Sequence, residues 1–186
     1  MKRSWVLIAG LALIASATGA RAGGIGIGAY AGTSIPVLQD DNANGPIWGL
    51  RVPVHFTPIV TVEPYFAKTS GGDRDQEAAG VTYTRTGMDV TSYGANVLLN
   101  FGTGFQMSPF FGIGSNKLER PGLNETQGGW DAGLGLGFGL PLTGLSGNVR
   151  GALNVVKDPA SDSVSRKWAE LTVGVSYSSF HFPPAP

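Results

Sequence analysis

Apolar and polar positions alternate with a period of two along most of this chain. In "WGLRVPVHF" (48–56), Trp48, Leu50, Val52, Val54 and Phe56 alternate with Gly49, Arg51, Pro53 and His55. In "YGANVLLNF" (93–101), Tyr93, Ala95, Val97, Leu99 and Phe101 share a face opposed by Gly94, Asn96, Leu98 and Asn100. "NVRGALNVV" (148–156) sets Val149, Leu153 and Val155 against Asn148, Arg150, Ala152 and Asn154. A period of two is the signature of a strand with two unlike faces. It predicts eight strands, at about 24–36, 46–56, 59–68, 88–101, 107–117, 127–140, 145–157 and 166–180.

The connections alternate too. "TP", "GTGFQ" and "PLTG" follow the second, fourth and sixth strands. "VLQDDNANG", "TSGGDRDQEAAGVTYTRTG", "NKLERPGLNET" and "DPASDSVS" follow the first, third, fifth and seventh. Consecutive strands therefore run up and down, with tight turns at one end and long polar loops at the other, as in an outer-membrane barrel. The non-apolar face of each strand is mostly Gly, Ser, Asn and a few charges. Such a face is too small and wet for a dry core, so the apolar face is expected to point outward into lipid. The fold class expected is all-β: an eight-stranded antiparallel up-and-down transmembrane β-barrel. A lipocalin-like barrel or a β-sandwich, the soluble alternative, would hide its large apolar residues inside.

Composition removes most competing folds. The 186 residues allow one ordinary domain, and 29 glycines and 12 prolines interrupt nearly every window long enough for a helix. Cysteine is absent, which excludes disulfides and thiolate metal sites. The opening "MKRSWVLIAGLALIASATGARA" places Lys2 and Arg3 before an apolar run and ends on small residues, the order of a cleaved secretory signal. Residues 1–22 are therefore read as a signal peptide and 23–186 as the barrel domain, with 181–186 a short periplasmic tail. Removing Lys2, Arg3 and Arg21 leaves ten Lys and Arg against thirteen Asp and Glu, a net charge of about −3. That balance argues against a nucleic-acid partner, whose phosphates need a concentrated basic face.

"GWDAGLGLGFGL" (129–140) could be mistaken for a phosphate-cradling loop. After Gly133 and Gly135, however, the third glycine position of a dinucleotide fingerprint holds Phe138, and no helix follows. Read as a strand, Trp130, Ala132, Leu134, Leu136, Phe138 and Leu140 face lipid. Asp131 and four glycines face the lumen, leaving room for side chains from the opposite wall, Arg150 among them.

Five charges fall on lumen-facing positions: Arg51, Glu63, Asp131, Arg150 and Glu170. Charges enclosed in a narrow barrel must pair, and Arg51 and Glu63 stand in direct or diagonal cross-strand relation. A salt-bridge network plugging the lumen is the main reading, and a gated path for protons or small ions the alternative. Trp48, Trp130 and Trp168 lie toward the long-loop end and Phe56, Phe101, Tyr177 and Phe180 toward the short-turn end, as two aromatic girdles would.

The last strand, "KWAELTVGVSYSSF", carries Thr172, Gly174, Tyr177 and Phe180 in a pattern that resembles the C-terminal strand of outer-membrane barrels. Its "GVSY" is similar to the end of the OmpA transmembrane domain. "SPFFGIGSN" (108–116) resembles the Pro-aromatic-x-Gly-x-Gly strand of the OmpA and opacity-like families. The resemblance implies an outer-membrane location and a monomer in contact with membrane lipid and lipopolysaccharide. It also implies an assembly signal at Thr172, Gly174, Tyr177 and Phe180 for the outer-membrane assembly machinery, and a plugged, non-enzymatic barrel.

Two departures stand out. Phe180 falls one residue beyond the alternation of Val173, Val175 and Tyr177, and "HFPPAP" follows it. Pro53 and Pro64 lie inside strands, where each removes a ladder hydrogen bond, so a bulge or a later start is expected in one of those strands. A bulge is expected near Trp168 as well, because it shares parity with Glu170 rather than with the lipid-facing row.

An enzyme would have to use His55 or His181. A lipid A-modifying hydrolase needs its His and Ser on the lipid face near the outer leaflet, whereas His55 is near the short turns with inward parity and His181 follows the last strand. No catalytic, metal or cofactor residues are assigned, and no cofactor is expected. The loop at 69–87 mixes Asp73, Arg74, Asp75, Glu77 and Arg85 without the spacing of a calcium loop. It is read as a solvated loop, with an extracellular ligand as the sharper alternative.

Overall fold

The computed structural model describes residues 24–37, 43–78, 80–140, 144–158 and 161–178. The wall is built from β1 (Gly24–Pro36), β2 (Gly45–Arg51), β3 (Val54–His55), β4 (Val60–Thr69), β7 (Asp89–Leu99), β8 (Phe105–Arg120), β9 (Leu123–Gly139), β10 (Leu145–Asp158) and β11 (Ser161–Ser178). Because β2 and β3 are halves of one interrupted strand, the wall has eight strands. Each pairs antiparallel with its chain neighbour, and β11 returns to pair with β1, closing the barrel. Closure leaves no unpaired edge in lipid, where an unsatisfied backbone group would be costly.

The barrel is strongly sheared. Paired positions run from Ile25 through Val54, Val62, Val97, Phe111, Ala132, Leu153 and Ala169. That row arrives back on β1 at Ile35, ten residues above its start. Strands are therefore tilted, and a row of paired residues climbs from the short-turn end toward the loop end as it passes from β1 to β11.

Strand alternation sorts the faces as lipid requires. Ile27, Leu50, Val97, Ile113, Leu134, Phe138, Val173 and Val175 are exposed on the outside, while Arg51, Glu63, Asn96, Ser108, Asp131 and Thr172 are buried inside. The strand interruption expected around the prolines occurs at Val52 and Pro53. There the Val52 amide donates to the Pro64 carbonyl at 2.9 Å and the Pro53 carbonyl accepts from Gly26 at 2.8 Å, so pairing survives the missing donor. Pro64 itself sits within continuous β4.

Two long connections differ from expectation. "NKLERPGLNET" is mostly strand, since β8 and β9 stay paired to Arg120 and Leu123 and a tight turn with Gly122 in the left-handed region joins them. β10 and β11 likewise remain paired to Asp158 and Ser161. Hydrophobic alternation ends at the membrane boundary, but the ladder continues into water. Within 69–87, instead of an irregular loop, β5 (Arg74–Ala78) and β6 (Val81–Arg85) form a hairpin. Cross-strand bonds from Tyr83 Oη to Gln76 Oε1 (2.9 Å) and Thr84 Oγ1 to Asp75 Oδ1 (2.6 Å) brace it.

Candidate functional site in the barrel lumen

Three layers fill the lumen. At the short-turn mouth, His55 Nδ1 lies 2.8 Å from Thr61 Oγ1, which also accepts from Asn100 Nδ2 at 2.8 Å. Asn100 in turn accepts from Ser108 Oγ at 2.8 Å, so one hydrogen-bonded row crosses four neighbouring wall segments.

The middle layer holds the charges. Arg150 on β10 reaches across the barrel to Glu63 on β4, donating from Nη1 to Oε1 and from Nη2 to Oε2 at 2.9 Å. This two-pronged geometry matches a planar guanidinium to a carboxylate. Arg51 joins from the same side of the wall as Glu63. It pairs directly with Tyr65, which puts Glu63 on the diagonal, and Arg51 Nη1 lies 4.0 Å from Glu63 Oε1. Arg51 Nη1 also donates to Asn148 Oδ1 at 3.2 Å, and its guanidinium lies 4.2 Å from the centre of the Tyr30 ring. The Arg51 and Glu63 side chains are each 3% exposed, so the attraction is little screened by water. The other two carboxylates are held by neutral donors: Asp131 accepts from Tyr65 Oη at 3.3 Å and Glu170 from Trp168 Nε1 at 2.8 Å. Beside these groups lies a small cavity bordered by Tyr30, Tyr65, Asp131, Arg150 and Glu170.

Glycine makes this layer possible. Tyr30 pairs with Gly49 on one side and Gly174 on the other, and a Cβ at Gly49 would lie 2.4 Å from the Tyr30 ring. In "GLGLGFG", a Cβ at Gly133 would meet the Phe110 ring at 2.6 Å, while the Arg150 stem passes 3.3 Å from the Cβ position of Gly135. Gly135 and Arg150 are paired residues of adjacent strands. The space therefore serves neighbouring strands, which corrects the expectation of side chains from the opposite wall. The stems of the long side chains lie over glycines of neighbouring strands and their ends reach across, because the lumen of an eight-stranded barrel is only just wide enough for side chains to fill.

Above the charges lies a layer that was not expected. Met88, Val90, Leu118, Val156 and Trp168 form a buried apolar cluster inside the loop end, with Leu123 packed against it. Trp168 is 6% exposed and belongs to this plug, not to the outer girdle. The bulge lies a few residues before it, where the register shifts between Lys157 and Asp158; from Lys157 and Ser165 through Leu145 and Tyr177, β10 and β11 keep one register across Trp168. Its parity with Glu170 is thus real and places both side chains inside, where the indole N–H bonds the carboxylate. Val90 and Val156 lie inward on β7 and β10 and Leu118 on the extension of β8 beyond the expected strand end, and the shear brings them to one level.

Of the other girdle residues, Trp48 and Trp130 face outward in the loop half, Trp48 tilted against Phe66 at 5.9 Å and Trp130 stacked with Phe111 at 6.2 Å. Phe56, Phe101 and Tyr177 face outward near the short turns. Thr172 is buried in the lumen wall beside Gly174, and Tyr177 lies on the lipid side. Phe180, His181, the tail at 181–186 and the signal segment at 1–22 lie outside the described residues. Among the described residues, no group of three His, Asp or Glu side chains is placed to hold a metal ion.

A closed eight-stranded wall with an apolar exterior and a charged interior agrees with the family model for the outer membrane protein beta-barrel domain, which matches residues 5–178. The chain belongs to this family. The barrel accordingly resides in the outer membrane, with its outward face in lipid. Neisserial surface protein A has a similar crystal structure, with 12% identity, 83% of this chain and 96% of that chain covered, and a TM-score of 0.57. The N-terminal β-barrel domain of OprF from Pseudomonas aeruginosa is also similar, with 13% identity, coverage of 83% and 96%, and a TM-score of 0.52. At such identities the likeness concerns the fold. No curated protein matches the chain.

Proposed function

We propose that this family member is a plugged, non-enzymatic barrel whose role is structural or lies in contacts made at the cell surface. The observation that carries this reading is the stacking of two seals in one lumen. Glu63 ties opposite walls together through Arg150, and the Met88–Trp168 cluster closes the loop end above it. An ion crossing the barrel would have to displace a buried ion pair and then pass a dry apolar layer, each costly. His55, engaged with Thr61 at the short-turn mouth, is remote from the outer leaflet where a lipid A hydrolase would act.

The reading extends to the ends of the chain and to its partners. Residues 1–22 act as a cleaved export signal, the final strand supplies the signal read by the assembly machinery, and the barrel works as a monomer. The β5–β6 hairpin, with Val81 and Tyr83 exposed beside its charges, supplies the surface for an extracellular ligand.

A narrow small-solute channel is the competing reading, favoured by the cavity beside Arg150. Planar-bilayer recordings separate the two. The plugged barrel is expected to give no reproducible unitary steps. Steps that vanish in Arg51→Ala or change size in Glu63→Gln would replace it with a channel.

A further inference from the structure

The middle layer of the lumen carries more negative charge than its guanidiniums cover. Around its cavity three carboxylates, Glu63, Asp131 and Glu170, stand against two cations, Arg51 and Arg150. Both cations are turned to Glu63: Arg150 donates to each of its oxygens, and Arg51 Nη1 lies 4.0 Å from Oε1. Asp131, 5% exposed, is left with a neutral donor, the Tyr65 hydroxyl at 3.3 Å. A buried carboxylate without a counter-charge is costly.

A second group at the same place also lacks what it needs. The register sets Asn96 on β7, Gly112 on β8 and Asp131 on β9 side by side in one row. Asn96 is 7% exposed, and its Oδ1 has no hydrogen-bond partner among the described residues. That oxygen is aimed over Gly112 toward Asp131: a Cβ on Gly112 would lie against Asn96 Oδ1 and 2.6 Å from Asp131 Oδ1. Glycine thus keeps the space between the two oxygens free of a side chain. Asn96 and Asp131 border one cavity of about 40 Å³, room for an ion or a water molecule but not for an organic ligand.

An amide carbonyl and a carboxylate are both acceptors, so neither can satisfy the other. The charge left to balance is single, which selects a monovalent ion. Calcium would ask for about six to eight oxygens, and magnesium for a near-ideal octahedron.

We infer that Asn96 Oδ1 and Asp131 Oδ1 hold a small monovalent cation, of the size of sodium, beside Gly112. The ion makes the middle layer electrically neutral. It also ties β7 to β9 across β8, as the Arg150 and Glu63 pair ties β10 to β4. The site requires a charged layer and not a blocked lumen, so it stands or falls separately from the bilayer recordings.

The test is equilibrium unfolding of the full barrel in urea from zwitterionic lipid vesicles, since unfolding opens the lumen and lets the ion exchange. Sodium chloride replaces N-methyl-D-glucamine chloride at constant ionic strength, the organic cation being too large for the cavity. Raising sodium from about 1 to about 100 mM should favour the folded state about tenfold, for a site half filled near about 10 mM that the unfolded chain lacks. Asp131→Asn keeps the shape without the charge and should bring that factor to about one. Asn96→Asp adds a second carboxylate and should move the sodium dependence to lower concentration. If Asp131→Asn fails to show heat-modifiable mobility, that shift in Asn96→Asp decides, and its absence would overturn the pair as ligands. A folded state of the unaltered barrel indifferent to sodium would overturn the site, leaving water or a proton between the oxygens. A sodium effect of unchanged size in Asp131→Asn would place the ion elsewhere and overturn it equally.

Discussion

The middle of the lumen is filled with charge and its loop end with hydrocarbon, although the same eight strands build both. In the middle layer the filler is long and polar: Arg51, Arg150, Tyr30 and Tyr65 lie over glycines and converge on carboxylates. At the loop end, Met88, Val90, Leu118, Val156 and Trp168 pack their side chains into one apolar cluster, with the Trp168 indole bonded to Glu170. The difference teaches that the environment of a barrel interior changes with height. Below the membrane interface, wall and lipid shield the charges and demand pairing. Above it the strands stand in water, and an inward apolar cluster becomes the ordinary hydrophobic core of a soluble sheet.

That contrast can be broken most forcefully at Glu63. Replacing it with Ala strands the buried guanidinium of Arg51 and releases Arg150. Unfolding in urea from lipid vesicles should show a loss of about 3–5 kcal/mol, the usual result of removing one partner of a buried pair. A loss below about 1 kcal/mol, the range of an exposed pair, would mean that the middle layer is solvated.

Trp168 sharpens the upper half of the comparison. Trp168→Ala should cost about 3 kcal/mol or more through the cavity it leaves, and should also free Glu170. Trp48→Ala, on the lipid side and 50% exposed, should cost clearly less in the same titration. Equal losses would return Trp168 to the girdle.

The smallest effects come from the glycines. Gly133→Ala places a Cβ against the Phe110 ring and the Gly151 carbonyl, and should destabilise by about 1–3 kcal/mol through overpacking. Gly139→Ala, on the same face but with nothing within 4 Å of the added atom, should be close to neutral. If the two behave alike, glycine serves backbone conformation here and not space.

Strand by strand, much of this was legible. The alternation in "YGANVLLNF" and "WGLRVPVHF" located β7, β2 and β3 and assigned their faces, because lipid forces one face of each strand to be apolar. The charged positions 51, 63 and 150 were visible by parity alone. Three things were not. The hairpin at 74–85 has no apolar face to signal it and is held by cross-strand polar bonds. The extensions of β8 and β9 beyond the membrane lose the hydrophobic period that marks a strand. Trp168 looked like a girdle residue because position along a strand is not height in a sheared barrel.

The sequence by itself determined the number of wall strands, their direction, and which side chains face lipid, since a period of two and alternating loop lengths are local properties. Tertiary structure alone decided which inward side chains share a level. Closure with a ten-residue shear brings Arg150 to Glu63, lays Arg51 over Tyr30 and gathers Met88, Leu118 and Trp168 into a plug. Those contacts join residues tens of positions apart, and the register that sets them follows from how all eight strands fit into one closed wall.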